Sequence, residues 1–209
     1  MKLYDCKTAP SPRRVRIFAA EKGMQLETIQ VDLGSGEQFA AAFREVNPDC
    51  VVPVLELDDG SCITEVLAIC QYLEEIQPQP ALIGRTPEKR ASAVSWAIKV
   101  EQLGLVAMRD AFRNSAKGLK GHALTGPIAY EQIPELAERG RKGAVAFLER
   151  LEQQLADREF IAGDSYSIAD ITALVFVDFA GWIKIDLPGD ATNLKRWYET
   201  VSSRPSARA

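Results

Sequence analysis

The sequence predicts an α/β first half followed by an all-α second half. Short apolar segments with alternating polar neighbours are interspersed with amphipathic helical patterns up to residue 78. From residue 88 onward, apolar residues repeat at helical spacing almost without a break. The stretch between the halves is rich in proline, as linkers are. We therefore expect one domain over residues 1–78, a linker over 79–87 and a second domain over 88–209.

The first elements are a strand, a loop and a helix. Residues 2–6 suit a short buried strand. After a proline-containing loop, Ser11 is placed to cap a helix that begins at Pro12, because proline is favoured at the first helical position. Gly23 predicts that this helix ends at Lys22, since glycine readily adopts the conformation that follows a helix.

One further strand and a two-stranded hairpin complete the predicted sheet. Apolar and polar residues alternate over 26–32, which indicates a strand, and 37–45 predicts a short helix or turn. A strand over 54–57 leads to an Asp-Gly pair at Gly60, which has the chemistry of a hairpin turn. A last short strand then ends at Thr64, which can cap the next helix.

The helix after the hairpin has one apolar stripe at helical spacing. Its members are Val66, Ile69, Cys70, Leu73 and Ile76. The predicted order is therefore β-α-β-α-β-β-α, which is the order of a thioredoxin-like domain. Its first β-α-β unit implies a parallel strand pair joined by a right-handed crossover.

The second half predicts a helical bundle. Long apolar stripes run over 91–112 and 133–155. Ser167 and Asp170 have the spacing of a capping box, in which two side chains bind the first backbone N–H groups of a helix. We expect this helix to end near residue 182 and a final helix over 194–202.

Composition narrows the function classes. The 209 residues are 46% hydrophobic and 26% charged, which is ordinary for a soluble globular protein. A net charge of −4 does not suggest a nucleic-acid partner, and no apolar run approaches the roughly 18 residues of a membrane span. The four cysteines and one histidine lack metal-ligand spacing. We expect free thiols, no metal, no cofactor and no membrane or nucleic-acid partner, in a reducing compartment such as the cytoplasm.

The segment from Asn47 to Ile69 resembles the glutathione-binding signature of the glutathione S-transferase family. It contains Asn-Pro, a Val-Pro pair that opens a strand, Asp-Gly, a glutamate and an Ala-Ile pair in the family's order. Val66 stands where the family has a serine. Residues 163–170 resemble the family's buried capping box, and 193–205 resemble its last helix. The resemblance spans about the whole chain and implies a thioredoxin-like domain followed by a helical bundle domain.

The resemblance implies a site for glutathione. In the family, the residue before a cis proline hydrogen-bonds the cysteinyl backbone of glutathione, which places Val52 and Pro53 in these roles. Glu65 would hold the γ-glutamyl ammonium group, and the backbone N–H of Val66 would bind the neighbouring carboxylate. Gln38 lies where polar residues of relatives reach the glycyl end. A solvated surface explains Gln38 equally well, and Glu65 and Val66 also suit a purely structural helix start.

The residue that activates the thiol is left open. Ala9 occupies the position where relatives have a serine or cysteine, and its side chain donates no hydrogen bond. Ser11 is our first candidate, Thr8 the second, and a backbone N–H of this stretch the third. Met108 and Phe112 are where relatives form a pocket for an electrophile, although such residues are also typical of a core or a dimer interface.

The expected function is that of a glutathione transferase, a homodimeric enzyme of detoxification that adds the thiolate of its co-substrate glutathione to a small apolar electrophile. One alternative is glutathione-dependent disulfide reduction, which needs no strong hydroxyl donor. Another is a non-catalytic binding protein with the same fold. Ala9 and Val66 favour the last reading, whereas Val52, Pro53 and Glu65 favour a working site.

Overall fold

The computed structural model describes residues 1–209 and divides into two units. The sheet unit contains Met1–Pro80 together with Leu124–Ile128 and Ala209, and the helical unit contains the remaining residues. The segment 124–128 thus belongs to the sheet unit although it lies far along the chain, and no sequence signal indicated this. No helix in either unit combines the length and the apolar character required to cross a membrane.

The sheet unit has the predicted order of elements. Its four strands are β1 (Lys2–Asp5), β2 (Glu27–Gln30), β3 (Val54–Glu56) and β4 (Cys62–Thr64). They lie in the order β2-β1-β3-β4, with β1 parallel to β2 and the other pairs antiparallel. The helices are α1 (Pro10–Glu21), α2 (Ala41–Val46) and α3 (Val66–Ile76), and a 3₁₀ turn over Glu37–Phe39 precedes α2.

Two helix starts differ from the sequence prediction. The first helix begins at Pro10, so its N-cap is Ala9 and Ser11 is its second residue; our assignment of Ser11 as the cap is wrong. Pro10 has the backbone angle that suits the first helical position and lacks the N–H that would be unpaired there, so the helix begins two residues earlier than expected. Thr64 lies within β4, and Glu65 is the N-cap of α3.

The helical unit is built around one buried helix. Its elements are α4 (Pro87–Lys99), a π-helical segment (Val100–Leu105), α5 (Val106–Arg113), α6 (Pro134–Gln154), α7 (Ile168–Trp182) and α8 (Thr192–Ser202), followed by a 3₁₀ turn over Pro205–Arg208. Almost every side chain of α7 is buried. The apolar stripe over 91–112 predicted one continuous helix, but the π-helical segment interrupts it. Gly104 lies in this segment, and a Cβ there would lie 2.9 Å from the Phe147 ring.

The predicted capping box at the start of α7 is confirmed. Asp170 is completely buried and accepts hydrogen bonds from the backbone N–H and the hydroxyl of Ser167, each at 3.0 Å. Its other oxygen accepts from the N–H of Ile161 and from Trp197 Nε1, each at 2.9 Å. Burial raises the pKa of this carboxyl to about 6. Asp170 therefore connects the start of α7, the preceding loop and α8.

Candidate functional site

Register places the candidate residues together at one edge of the sheet. Val54 pairs with Tyr4 on one side and with Thr64 on the other. Pro53 immediately precedes Val54, and Glu65 immediately follows Thr64, so the two lie next to each other at the same end of neighbouring strands. The chain also leaves the carboxyl end of β1 at this edge, and its next turn leads to α1. Segments distant in sequence therefore meet here.

A backbone segment with unused hydrogen-bonding groups enters β3. The Val52-Pro53 peptide bond is cis, as the resemblance implied. The backbone N–H and C=O of Val52 make no hydrogen bond to the rest of the backbone. Asn47, which is 1% exposed, shapes the loop before it, because its side chain donates to the carbonyl of Val51 at 2.9 Å and accepts from the N–H of Asp49 at 3.1 Å. The N–H and C=O of Val52 are therefore available to pair with the extended backbone of a ligand.

Glu65 connects β4 to α3 in an unusual backbone conformation. Its φ of 66° lies in the region that disfavours residues with a side chain, and strained residues of this kind cluster at functional sites. Its carboxylate is exposed and makes no capping bond to α3. Val66, the first residue of α3, packs its side chain inward, while the N–H groups of this first turn lack partners within the helix. An exposed acid thus lies beside a helix start whose N–H groups are able to bind an anion, and this pair suits the zwitterionic end of an amino acid.

The first turn of α1 places Ser11 next to a buried cation. Arg14, which is 4% exposed, donates to Ser11 Oγ at 3.1 Å. Because Ser11 accepts this bond, its own hydroxyl hydrogen remains available to a ligand. Thr8 is exposed, and its hydroxyl lies 3.5 Å from Cys6 Sγ. The sequence alone indicated that Arg13, Arg14 and Arg16 are a mixed structural and solvent-facing set, one of which could attract an anionic ligand. The spacing of three between Ser11 and Arg14 on a helix was the available signal for their contact.

The remaining predicted site residues are Gln38, in the sheet unit, and the electrophile-pocket candidates Met108 and Phe112, in the helical unit. Gln38 is half-buried in the 3₁₀ turn, and its Oε1 is shielded from solvent without a hydrogen-bond partner. In the helical unit, Met108 has no exposed surface, so its side chain packs in the core. Phe112 is half-buried, with its ring centroid 5.7 Å from that of Phe179. Of the predicted electrophile pocket, only Phe112 presents a surface to solvent.

The cysteines are all unbridged, as predicted. Cys6 is half-buried and Cys62 is exposed, whereas Cys50 and Cys70 are buried. Partial burial raises the pKa of Cys62, and complete burial raises that of Cys70. These two thiols are thus held in the protonated form, which is a poor nucleophile.

Family comparisons match both halves of the chain. Residues 8–76 match the family described as "Glutathione S-transferase, N-terminal domain". Residues 102–205 match the family described as "Glutathione S-transferase, C-terminal domain".

Individual relatives extend this similarity over the full length. Glutathione S-transferase 2 of Saccharomyces cerevisiae is 33% identical over all of this chain and 88% of its own. Maleylacetoacetate isomerase of Mus musculus is 31% identical over 88% of this chain and 80% of its own. The crystal structure of a glutathione S-transferase domain-containing protein from Marinobacter aquaeolei VT8 superposes with a TM-score of 0.90, at 38% identity, covering 99% of each chain.

Proposed function

The chain belongs to the glutathione S-transferase family, and from that premise we propose that it is a transferase that joins the thiol of glutathione to a small apolar electrophile. The observation that carries the proposal is the unpaired Val52 backbone beside the exposed carboxylate of Glu65. A tripeptide with a free amino-acid end needs both features. Each lies at the edge where β3 begins and β4 ends.

Different protein groups bind the cysteinyl, γ-glutamyl and glycyl parts of glutathione. The peptide unit of Val52 pairs with the cysteinyl backbone, which fixes the sulfur relative to the sheet. Glu65 receives the γ-glutamyl ammonium group, and the N–H groups at the start of α3 receive its carboxylate. The Oε1 of Gln38 is an acceptor without a partner, which supports a role in accepting a hydrogen bond from the glycyl N–H of glutathione.

Ser11 is the donor we assign to the sulfur. A thiol of this kind has a pKa of about 8.5, and lowering it by one unit requires about 1.4 kcal/mol. The hydrogen bond from Arg14 polarises the Ser11 hydroxyl, because its donor is charged. The thiolate then attacks the electrophilic carbon. For an aryl chloride a C–S bond forms and chloride leaves, while the thiol proton passes to solvent.

Titration calorimetry with glutathione tests the site directly. Glu65→Ala should weaken binding by roughly 1.5–3 kcal/mol, the contribution of a hydrogen bond to a charged group. Glu75→Ala is the matched control, because Glu75 is an exposed acid on the same helix. Unchanged affinity in a folded Glu65→Ala protein would contradict the assignment. An absence of glutathione binding by the wild type would favour the non-catalytic alternative.

The similarity to a maleylacetoacetate isomerase favours a second candidate reaction. Reversible addition of a thiolate to a conjugated double bond allows rotation, and elimination then returns the thiol. This chemistry uses the same bound thiolate but consumes no glutathione. Product analysis by mass spectrometry separates the two reactions, since only the transferase leaves a stable thioether.

A further inference from the structure

A buried carboxylate lies at the end of β1, directly before the loop that leads to α1. Asp5 is the last residue of β1 and is 1% exposed. Its Oδ1 accepts a hydrogen bond from Arg16 Nη1, on α1, and its Oδ2 accepts one from Gln30 Nε2, at the end of β2. The two oxygens of Asp5 therefore join β1 to two other elements of the sheet unit.

The same two partners of Asp5 also bind the backbone of one loop residue. Gln30 Oε1 accepts a hydrogen bond from the N–H of Lys7 at 2.9 Å, and Arg16 Nη2 donates to the carbonyl of Lys7 at 3.1 Å. Lys7 is exposed and lies in a turn, so these side chains supply the hydrogen bonds that a neighbouring strand would otherwise give. We refer to Asp5, Arg16 and Gln30 together as the Lys7 clamp.

The Lys7 clamp fixes the chain that leads into α1. The N–H of Ala9 donates to the carbonyl of Cys6 at 2.9 Å, which closes a turn around Lys7. The first helix begins directly after this turn, and Ser11 is its second residue. A displacement of Lys7 would therefore change the direction of the Ser11 hydroxyl.

We propose that Asp5 is a positioning residue of the transferase reaction, because it holds the loop that sets the place of the Ser11 hydroxyl. This role rests on the proposed function, in which Ser11 donates to the glutathione sulfur. A hydrogen bond weakens steeply when its donor is turned away or moved, so a misplaced hydroxyl stabilises the thiolate less. Asp5 acts through its two partners, since its carboxylate is buried beneath the loop.

An exchange of amide and carboxylate between two positions tests the clamp. In Asp5→Asn, the side chain offers one oxygen and one NH₂ group, so either Gln30 loses its acceptor or, after its amide turns round, Lys7 N–H loses its own. In Asp5→Asn/Gln30→Glu, the asparagine NH₂ donates to one glutamate oxygen and Lys7 N–H donates to the other. Hydrogen exchange of Lys7 N–H, followed by NMR, should become about tenfold faster in the single variant, as for the loss of one hydrogen bond. The double variant should restore the slow exchange.

The pH profile of turnover separates positioning from stability. In Asp5→Asn, the pKa of the bound glutathione thiol should rise, and turnover at about pH 6 should fall about tenfold, which corresponds to a rise of one unit. The rates should converge at a pH above the thiol pKa, and Asp5→Asn/Gln30→Glu should restore the wild-type profile. Asp170→Ala is the control, because it should lower the melting temperature without moving this profile.

A second single variant keeps the test available if Asp5→Asn does not fold. Gln30→Ala changes an exposed residue at the end of β2, an edge strand, and leaves the ion pair between Asp5 and Arg16 intact. It removes the acceptor of Lys7 N–H, so it should raise the pKa of the bound thiol in the same direction as Asp5→Asn.

The outcomes separate the role of Asp5 from the proposed function. If the wild type forms a thioether but Asp5→Asn and Gln30→Ala leave the pKa of the bound thiol unchanged, the positioning role is overturned and the transferase stands. The role is also overturned if Asp5→Asn/Gln30→Glu restores slow exchange at Lys7 but not the pH profile. A wild type that binds no glutathione would refute the proposed function and this role with it, while the exchange rates of Lys7 N–H would still show whether the clamp exists.

Discussion

The ammonium group of Lys22 lies 2.6 Å from a carboxylate oxygen of Glu74 inside the sheet unit. The Lys22 side chain has no exposed surface, and that of Glu74 is 9% exposed. Lys22 also donates to the carbonyls of Gln77 and Pro80, at 2.6 and 2.8 Å. One buried cation therefore joins the end of α1 to α3 and to the chain that follows it.

Removing the acid from this pair should destabilise the fold. Glu74→Ala leaves the Lys22 charge buried without its counter-ion, which costs about 3–5 kcal/mol. Urea unfolding should show this loss in the free energy of unfolding. Glu75→Ala, on the exposed side of the same helix, should change it by less than about 0.5 kcal/mol. Similar values for the two variants would contradict the buried ion pair.

Close packing of α5 against α6 makes Gly140 intolerant of a side chain. A Cβ there would lie 2.5 Å from the carbonyl oxygen of Ala107 and 2.7 Å from the N–H nitrogen of Ala111. Because both neighbours are backbone atoms, Gly140→Ala must separate the helices, at a cost of about 1–3 kcal/mol or more. Gly181→Ala is the control, since it meets nothing within 4 Å and should raise helix propensity. Thermal unfolding should move the two melting temperatures in opposite directions.

Ionisation of Asp170 should reduce stability as the pH rises. Its pKa is raised from 3.8 to about 6 in the folded chain, so between these values the folded state binds more protons than the unfolded one. The Asp170 contribution is therefore greatest below about pH 4 and declines through pH 6, by roughly 3 kcal/mol in all.

The comparison with Asp170→Asn isolates this effect from other titrating groups. The difference in unfolding free energy between wild type and variant should be larger at pH 4 than at pH 7. A difference independent of pH would refute the raised pKa. Asp170→Ala should likewise lower the melting temperature, since a cap contributes about 0.5–2 kcal/mol, while activity per folded molecule changes little.

Activation of the thiol should depend on Ser11. Ser11→Ala should lower turnover about 10²-fold if its hydroxyl is the anion donor. Thr8→Ala, at the second candidate, should lower turnover much less, because the exposed Thr8 hydroxyl lies near Cys6 Sγ rather than Arg14. Ala9→Ser should lower the pKa of bound glutathione, measured by thiolate absorbance. An unchanged pKa and rate after Ala9→Ser would mean that this loop is aligned wrongly with the family.

We also predict a homodimer. Ile98 and Leu103, in α4 and the adjoining π-helical segment, are 40% and 43% exposed. Closed two-fold dimers are the commonest way to cover such side chains. Light scattering at micromolar concentration should give twice the chain mass of 23.0 kDa. A monomer mass would refute the prediction.

The sequence by itself determined the order of the elements and the features that depend on near neighbours. The capping box of Ser167 and Asp170 is a pattern of four residues, and the hairpin at Gly60 depends on one glycine with positive φ. The cis Pro53 and the positions of Glu65 and Val66 followed from family resemblance. The capping box and the hairpin turn are encoded within a few residues, so a single sequence suffices to predict them.

Only the tertiary structure decided which side of each helix is covered. Arg14 belonged to a set of arginines expected to be partly structural and partly solvent-facing, and Lys22 was expected only as the last residue of its helix. Both are buried by packing between α1 and the rest of the sheet unit. Met108 is a core residue, whereas the side chain of Arg109, one position further along α5, is 37% exposed. A helix rotates each successive side chain by about 100°, so small differences in its packing decide which groups meet solvent or a ligand. That packing depends on partners distant in sequence, which local patterns do not specify.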